Sequence, residues 1–275
     1  MTNLRGSQRI VKCFSDLRRA GRAGLVTFIT AGDPNLQISS EILEKLPESG
    51  ADIIELGMPF SDPMADGPAI QASSLRALNQ GASLITTLDM VLKFREKNIE
   101  TPIILMGYFN PIYKYGVEKF VLHAATAGVD GFIIVDLPPE EAEMREPVEK
   151  AGLSFIYLTA PTTHDKRLPI VFKHASGFIY YVSVTGVTGT TSAKTADIKI
   201  ALDKLRLHTD LPIAVGFGIK TPEQAHEIGK HAEAVVVGSA FINKISENLN
   251  HNGTANKNCA QAVLHLVRDI AGGLT

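Results

Sequence analysis

Cysteine is scarce: Cys13 and Cys259 are the only two in 275 residues, and neither sits in a metal-ligand spacing pattern. That argues against a disulfide framework or a cysteine-based metal centre, and it fits a reducing, cytosolic home. An excess of either charge is also missing, because 27 Lys and Arg against 29 Asp and Glu leave a formal net charge of −2. The basic residues are scattered rather than striped, so no nucleic-acid surface is expected. No apolar run approaches the roughly 20 residues that cross a bilayer, and the opening MTNLRGSQRIVKCF lacks the apolar core of a secretion signal, so no membrane association is expected. Without such a signal, Asn252-Gly253-Thr254 reads as a polar loop rather than a glycosylation site.

What is present is an ordinary globular composition, 45% hydrophobic and 20% charged, with no composition shift or linker, so residues 1–275 are expected to form a single domain. Ser7 can cap an opening helix through about Ala20, with Ile10, Val11, Phe14 and Leu17 on one face. After it come eight short apolar runs, at 25–30, 52–56, 102–106, 131–135, 154–159, 178–182, 212–215 and 234–237. Amphipathic stretches alternate with them, centred near Ile42, Leu75, Phe120, Glu143, Ile170, Leu202, Ala225 and Leu264, with an extra one over 84–94. Continuous apolar strands each followed by a helix imply a parallel sheet covered by helices. Eight such units predict an α/β fold of the (β/α)8 TIM-barrel type, with an extra N-terminal helix and additional short helices. An open doubly wound sheet is the runner-up, which the even count and the absence of a midpoint linker disfavour.

Barrels of this kind place their active site in the loops at the C-terminal ends of the strands. Here those loops hold Ala31-Gly32-Asp33-Pro34, the Glu55 to Asp66 stretch, Tyr108-Phe109-Asn110, Asp136-Leu137-Pro138, the 183–195 loop, Gly216-Phe217-Gly218 and Gly238-Ser239. Three late loops are rich in glycine, which lets backbone N–H groups approach a phosphate, and a short helix after Gly238 would add its positive end. The 183–195 loop, full of Gly, Thr and Ser, reads as a lid that closes over substrate. No lysine lies inside any strand candidate, and the eight histidines fall on helices and loops without clustering at strand ends, so neither imine nor metal aldolase chemistry is favoured.

Two carboxylates stand out. Glu55 lies among Ile53, Ile54 and Leu56, where an ionised side chain is costly unless paired or protonated. Asp66 ends the following loop, just before the helix start at Pro68. Folded back over the strand end, the loop could bring the two to one cavity as an acid/base pair with unequal pKa values. The plainer alternatives are a buried salt bridge for Glu55 and a helix N-cap for Asp66. Phe28, Tyr108 and Tyr180, near strand ends on the same face, could wall a pocket for a flat ring.

The stretch ELGMPFSDPMADGPAIQ, residues 55–71, resembles the signature of the tryptophan synthase α-subunit family. The likeness extends in order through Thr30-Ala31-Gly32-Asp33-Pro34, Met106-Gly107-Tyr108-Phe109-Asn110-Pro111, Asp136-Leu137-Pro138, Ser183-Val184-Thr185-Gly186-Val187-Thr188-Gly189, Gly216-Phe217-Gly218-Ile219 and Gly238-Ser239-Ala240. Thr27 departs from the proline common there, and Met58 from a β-branched residue. The resemblance implies cleavage of indole-3-glycerol phosphate to indole and glyceraldehyde 3-phosphate. It makes Glu55 the proton shuttle and Asp66 the partner of the indole N–H, with Phe28 and Tyr180 beside the indole. It puts the phosphate on Gly189, Gly218, Gly238 and Ser239. It further implies a β-subunit partner in an α-β-β-α heterotetramer, facing Pro59, Asp62 and the region of Asn110, with pyridoxal phosphate in that partner and no cofactor in this chain. A standalone lyase, a catalytically silent activator of the partner and another phosphate-sugar barrel are the competing readings.

Overall fold

Period-two alternation along buried strands decides where every inward side chain points, and it separates this molecule into two cores. The computed structural model describes residues 4–183, 195–216 and 218–275. Among them the strands are β1 (Gly24–Thr30), β2 (Ile53–Gly57), β3 (Ile103–Gly107), β4 (Gly131–Ile134), β5 (Ser154–Phe155), β6 (Leu158–Thr159), β7 (Ile179–Val182), β8 (Ile213–Gly216) and β9 (Ala234–Val237). All pair in parallel, in the order β5-β4-β3-β2-β1-β9-β8-β7-β6. The two ends of that order, β5 and β6, are consecutive pieces of one extended segment. Ile156 N–H donates to Phe132 O at 2.9 Å on one side, and Tyr157 O accepts from Tyr180 N–H at 3.1 Å on the other. The segment expected as one strand over 154–159 is thus split, and it brings the sheet round on itself as a TIM barrel.

The inner core is built from alternate strand positions: Val26, Ile53, Ile104, Ile133, Ile156, Phe178, Tyr180, Ala214, Ala234 and Val236. Its lower end is stoppered by α1 (Ser7–Ala20), which contributes Ile10, Phe14 and Leu17, with the Phe14 and Phe178 rings 5.7 Å apart. The opposite parity, including Leu25, Ile54, Leu56, Leu105, Phe132 and Val235, packs outward against the helical layer. That layer comprises α2 (Leu36–Lys45), α3 (Pro68–Asn79), α4 (Leu84–Lys97), α5 (Phe109–Tyr115), α6 (Val117–Ala127), α7 (Arg145–Lys150), α8 (Leu168–His174), α9 (Thr195–Arg206), α10 (Pro222–Gly229), α11 (Ser239–Glu247) and α12 (Cys259–Gly272). Among the described residues no helix is long and apolar enough to cross a membrane.

A buried charge cluster closes the end remote from the strand C-termini. Asp130 receives Arg9 at 2.5 Å, Arg95 at 2.7 Å and the Ile103 N–H at 2.8 Å, so α1, α4 and β3 meet on one carboxylate. Because each of the ions has a partner, the cluster fixes geometry at the stable face of the barrel.

Three local expectations are corrected. Gly6, not Ser7, is the N-cap of α1, and the Ser7 N–H is satisfied by Gly152 O at 3.0 Å, a tertiary bond no local pattern announces. Val11 lies 64% exposed rather than on the packed face of that helix. Tyr108-Phe109-Asn110 is not all loop, since α5 begins at Phe109, whose N–H donates to Asp136 Oδ1 at 2.8 Å.

Candidate active site

The strand alternation that fills the lower barrel with aliphatic side chains continues upward and changes chemistry at its last layer. Two residues beyond Val26, Ile53, Ile104, Phe178, Ala214 and Val236, in the same inward register, stand Phe28, Glu55, Met106, Tyr180, Gly216 and Gly238. These six, with Asp66, Ile70, Val182, Gly218, Val236 and Ser239, line one cavity at the C-terminal end of the barrel. Parallel pairing sets Glu55 between Phe28 on β1 and Ile104 on β3.

Glu55 is 1% exposed, and among the described residues its Oε1 has no hydrogen-bond partner. Among the described residues it forms no salt bridge, so the structural ion-pair alternative falls away for them. Burial first, and the neighbouring Asp66 carboxylate second, push its pKa up to about 8. Asp66 ends a tight turn in which Met64 N–H donates to Asp62 O at 2.9 Å and Asp66 N–H to Pro63 O at 3.1 Å. The N-cap of α3 is Gly67, with Pro68 as the first helical residue and no side-chain cap bond. The capping alternative for Asp66 is therefore replaced by a carboxylate directed at the cavity. Burial raises its pKa to about 6, opposed by a hydrogen bond from the Tyr108 hydroxyl.

The aromatic walls depend on missing side chains. A Cβ at Gly57 would come within 2.6 Å of the Phe28 ring, and one at Gly216 within 2.6 Å of the Tyr180 hydroxyl. Only glycine leaves those rings their room, a requirement of close approach rather than of turn geometry. Phe28 and Tyr180 line the cavity, but Tyr108 is not part of its lining: its hydroxyl accepts the Ala65 N–H at 3.0 Å and it buttresses the loop. Gly216, from one of the glycine-rich loops, lines it too, while Ile70, Met106, Val182 and Val236 complete the lining and carry no site signal of their own in the sequence. The inward register of the strands could have found all of them except Ile70, which enters from the first turn of α3.

Gly218, Gly238 and Ser239 share this cavity with the carboxylates. Gly238 is the N-cap of α11, and the first bonds back to its carbonyl come from Phe241 at 2.9 Å and Ile242 at 3.1 Å. Among the described residues the N–H groups of Ser239 and Ala240 are thus left as free donors of the first turn, at the positive end of a helix whose first residues line the cavity, an arrangement that favours an anion. Gly189, Phe217 and most of the expected 183–195 lid lie outside the described residues. Asp62 and Asn110 are exposed, whereas Pro59 is buried at the base of the loop. Among the described residues no group of three or more His, Cys, Asp or Glu could hold a metal ion.

Burial of Glu55 has a consequence for the fold. Its carboxyl holds its proton to about pH 8 in the folded chain but releases it near 4.5 when unfolded, so folded protein binds more protons between these limits and stability falls as pH rises through that window. The slope is roughly 1.4 kcal/mol per pH unit. Glu55→Gln, which cannot titrate, is expected to raise Tm by roughly 5 °C or more at pH 7.5, with the gain shrinking toward pH 5. Calorimetry at the two pH values checks this, and an equal gain at both would refute the assigned burial cost.

Residues 14–271 match the family model described as tryptophan synthase alpha chain. The structure of tryptophan synthase subunit alpha from Legionella pneumophila is 41% identical, with a TM-score of 0.88 over 96% of this chain and 97% of that one. A structure of tryptophan synthase from Mycobacterium tuberculosis is 32% identical, with a TM-score of 0.87 over 97% and 98%.

Proposed function

Because the chain belongs to the tryptophan synthase alpha chain family, whose members cleave indole-3-glycerol phosphate to indole and glyceraldehyde 3-phosphate, we propose that Glu55 and Asp66 carry that cleavage here. The chain is a carbon–carbon lyase of tryptophan biosynthesis. The observation that supports the residue assignment most is the Glu55 carboxyl: buried, with an oxygen unpartnered among the described residues, protonated at neutral pH, and sharing a cavity with a second carboxylate.

In this mechanism the acid form of Glu55 gives its proton to the indole carbon that bears the glycerol chain. The ring nitrogen becomes an iminium whose charge and N–H lie against ionised Asp66. The Glu55 carboxylate then takes the proton of the adjacent glycerol hydroxyl. That carbon becomes the aldehyde of glyceraldehyde 3-phosphate, the carbon–carbon bond breaks, and its electron pair returns to the ring to give indole. Glu55 ends protonated, as it began. Phe28 and Tyr180 flank the indole in this proposal, and the phosphate rests on backbone donors around Gly218, Gly238 and Ser239. Gly189 joins that cradle by resemblance alone.

Tryptophan synthase is the assembly named for the Mycobacterium tuberculosis relatives, and we assign this chain a beta subunit as its partner. We place the contact on exposed Asp62 and Asn110, with buried Pro59 fixing the loop from which Asp62 projects. An α-β-β-α heterotetramer follows from that assignment, as does pyridoxal phosphate held by the partner, with no cofactor assigned to this chain.

The deciding experiment is release of glyceraldehyde 3-phosphate from indole-3-glycerol phosphate by the purified chain, alone and with a tryptophan synthase beta subunit. Slow release that accelerates strongly with the partner is expected. Fast release indifferent to the partner would instead identify a standalone lyase. No release in either state would leave only an activator of the partner.

The two pKa values give the pH dependence its sign. Asp66 must be ionised, so activity falls below about pH 6, and Glu55 must begin protonated, so it falls above about pH 8. A bell in kcat/KM for the chain with limbs near these values is expected, belonging to the interacting pair. A profile flat from pH 5 to 9 would contradict the acid/base assignment.

A further inference from the structure

We propose that Tyr108 is a positioning residue for Asp66, its hydroxyl tying the end of the loop after β2 to the start of α5 and holding the carboxylate toward the cavity. The proposal rests on the functional reading above. It begins from an economy of protons: a phenol has a single O–H to give. The Tyr108 oxygen accepts the Ala65 N–H at 3.0 Å, and the same hydroxyl is the influence that lowers the pKa of the carboxyl of Asp66, the next residue in sequence. One side chain therefore ties down the residue before Asp66 and acts on the Asp66 carboxyl itself.

The phenol is itself held firmly. Tyr108 is 4% exposed, and its ring packs on Phe60 of the same loop with centroids 5.3 Å apart. It immediately precedes α5, and the next residue is anchored by the Phe109 N–H bond to Asp136 at 2.8 Å. The backbone around Asp66 is set independently, by its N–H bond to Pro63 and by Gln71 Nε2 donating to its carbonyl at 2.8 Å. What those bonds leave undetermined is the carboxylate's orientation, and Tyr108 supplies that constraint.

The hydroxyl also bears on charge. The titratable groups that face Asp66 are Glu55 on β2, Tyr180 on β7 and Tyr108 itself, with Asp136 standing beyond the phenol. Among the described residues none of these is a cation, so the phenol O–H is the favourable influence on the ionised form. Its removal favours the protonated form, and the Asp66 titration moves to higher pH.

Tyr108→Phe keeps the ring and its contact with Phe60 while deleting the hydroxyl. In full-length chain the Asp66 carboxyl carbon, followed by NMR from pH 4 to 9, is expected to titrate roughly half a unit to one unit higher than in the wild type. With the beta subunit present, kcat is expected to fall about 10-fold with KM within about threefold, and the acid limb of kcat/KM to move up alongside. In an Asp66→Asn background the same change should alter kcat by less than about twofold. An unmoved Asp66 titration overturns the proposal, and so does a loss that persists undiminished in that background. Absence of product release by the wild type would defeat the functional reading instead, while the NMR titration still decides the Tyr108–Asp66 link.

Discussion

Glu55→Gln lowers the turnover of glyceraldehyde 3-phosphate release by at least ~10²-fold while leaving substrate binding within a few-fold. Glutamine has nearly the shape of the protonated glutamic acid that the buried site favours. The β1–β2–β3 register that aims residue 55 inward is a matter of backbone pairing and is unaffected. Among the described residues Oε1 of Glu55 has no hydrogen-bond partner, so the amide gives up little that holds the loop or strand in place. What it cannot do is release a proton to the ring carbon and collect one from the glycerol hydroxyl. The loss therefore falls on the chemical step, and it is expected in a protein at least as stable as the wild type. Steady-state kinetics with the beta subunit present separates the two parameters. A change confined to KM would reassign Glu55 from proton transfer to substrate binding.

That glutamate was visible in the sequence because it violates a pattern. Ile53, Ile54 and Leu56 announce a strand buried on both faces, and a carboxylate inside such a strand needs a reason. The same logic made seven of the eight expected strands legible to within a residue, the eighth being the 154–159 run that splits into β5 and β6, since continuous apolar runs depend on burial alone. The cavity lining was legible only in part. Phe28 and Tyr180 were found by aromatic character, whereas Met106, Val182 and Val236 are ordinary apolar residues that the barrel's inward register turns into a wall.

Features fixed by long-range hydrogen bonds were less legible. The start of α5 depends on Asp136, and the N-terminus of α1 leans on Gly152, partners remote in sequence that no capping pattern reveals. Tyr108 was misplaced for the same reason. Its ring suggested a pocket wall, yet the deciding group is the hydroxyl, whose acceptor role is set by the Ala65 N–H from another loop. Asp66 followed by Gly67-Pro68 satisfies the local grammar of a helix start equally well as cap or as functional group. Backbone geometry resolves it by making Gly67 the cap.

The freed carboxylate yields the second large expected effect: Asp66→Asn lowers kcat by about 10²-fold or more and removes the acid limb near pH 6. The amide oxygen can still accept a hydrogen bond from the indole N–H, so KM should rise only several-fold. It carries no charge to set against the ring iminium formed when Glu55 delivers its proton, and in a largely buried cavity that charge is poorly screened. The effect should therefore be larger on kcat than on binding, the mark of an interaction made in the transition state. The same substitution removes the charged neighbour that helps raise the Glu55 pKa, so the basic limb should move to lower pH, though only slightly because burial is the larger cause. Two movements from one substitution, the acid limb lost and the basic limb lowered, distinguish an electrostatic partner of Glu55 from a mere loop anchor. Should the acid limb survive near pH 6 in Asp66→Asn, that limb belongs to another group and the division of labour between the two carboxylates is wrong.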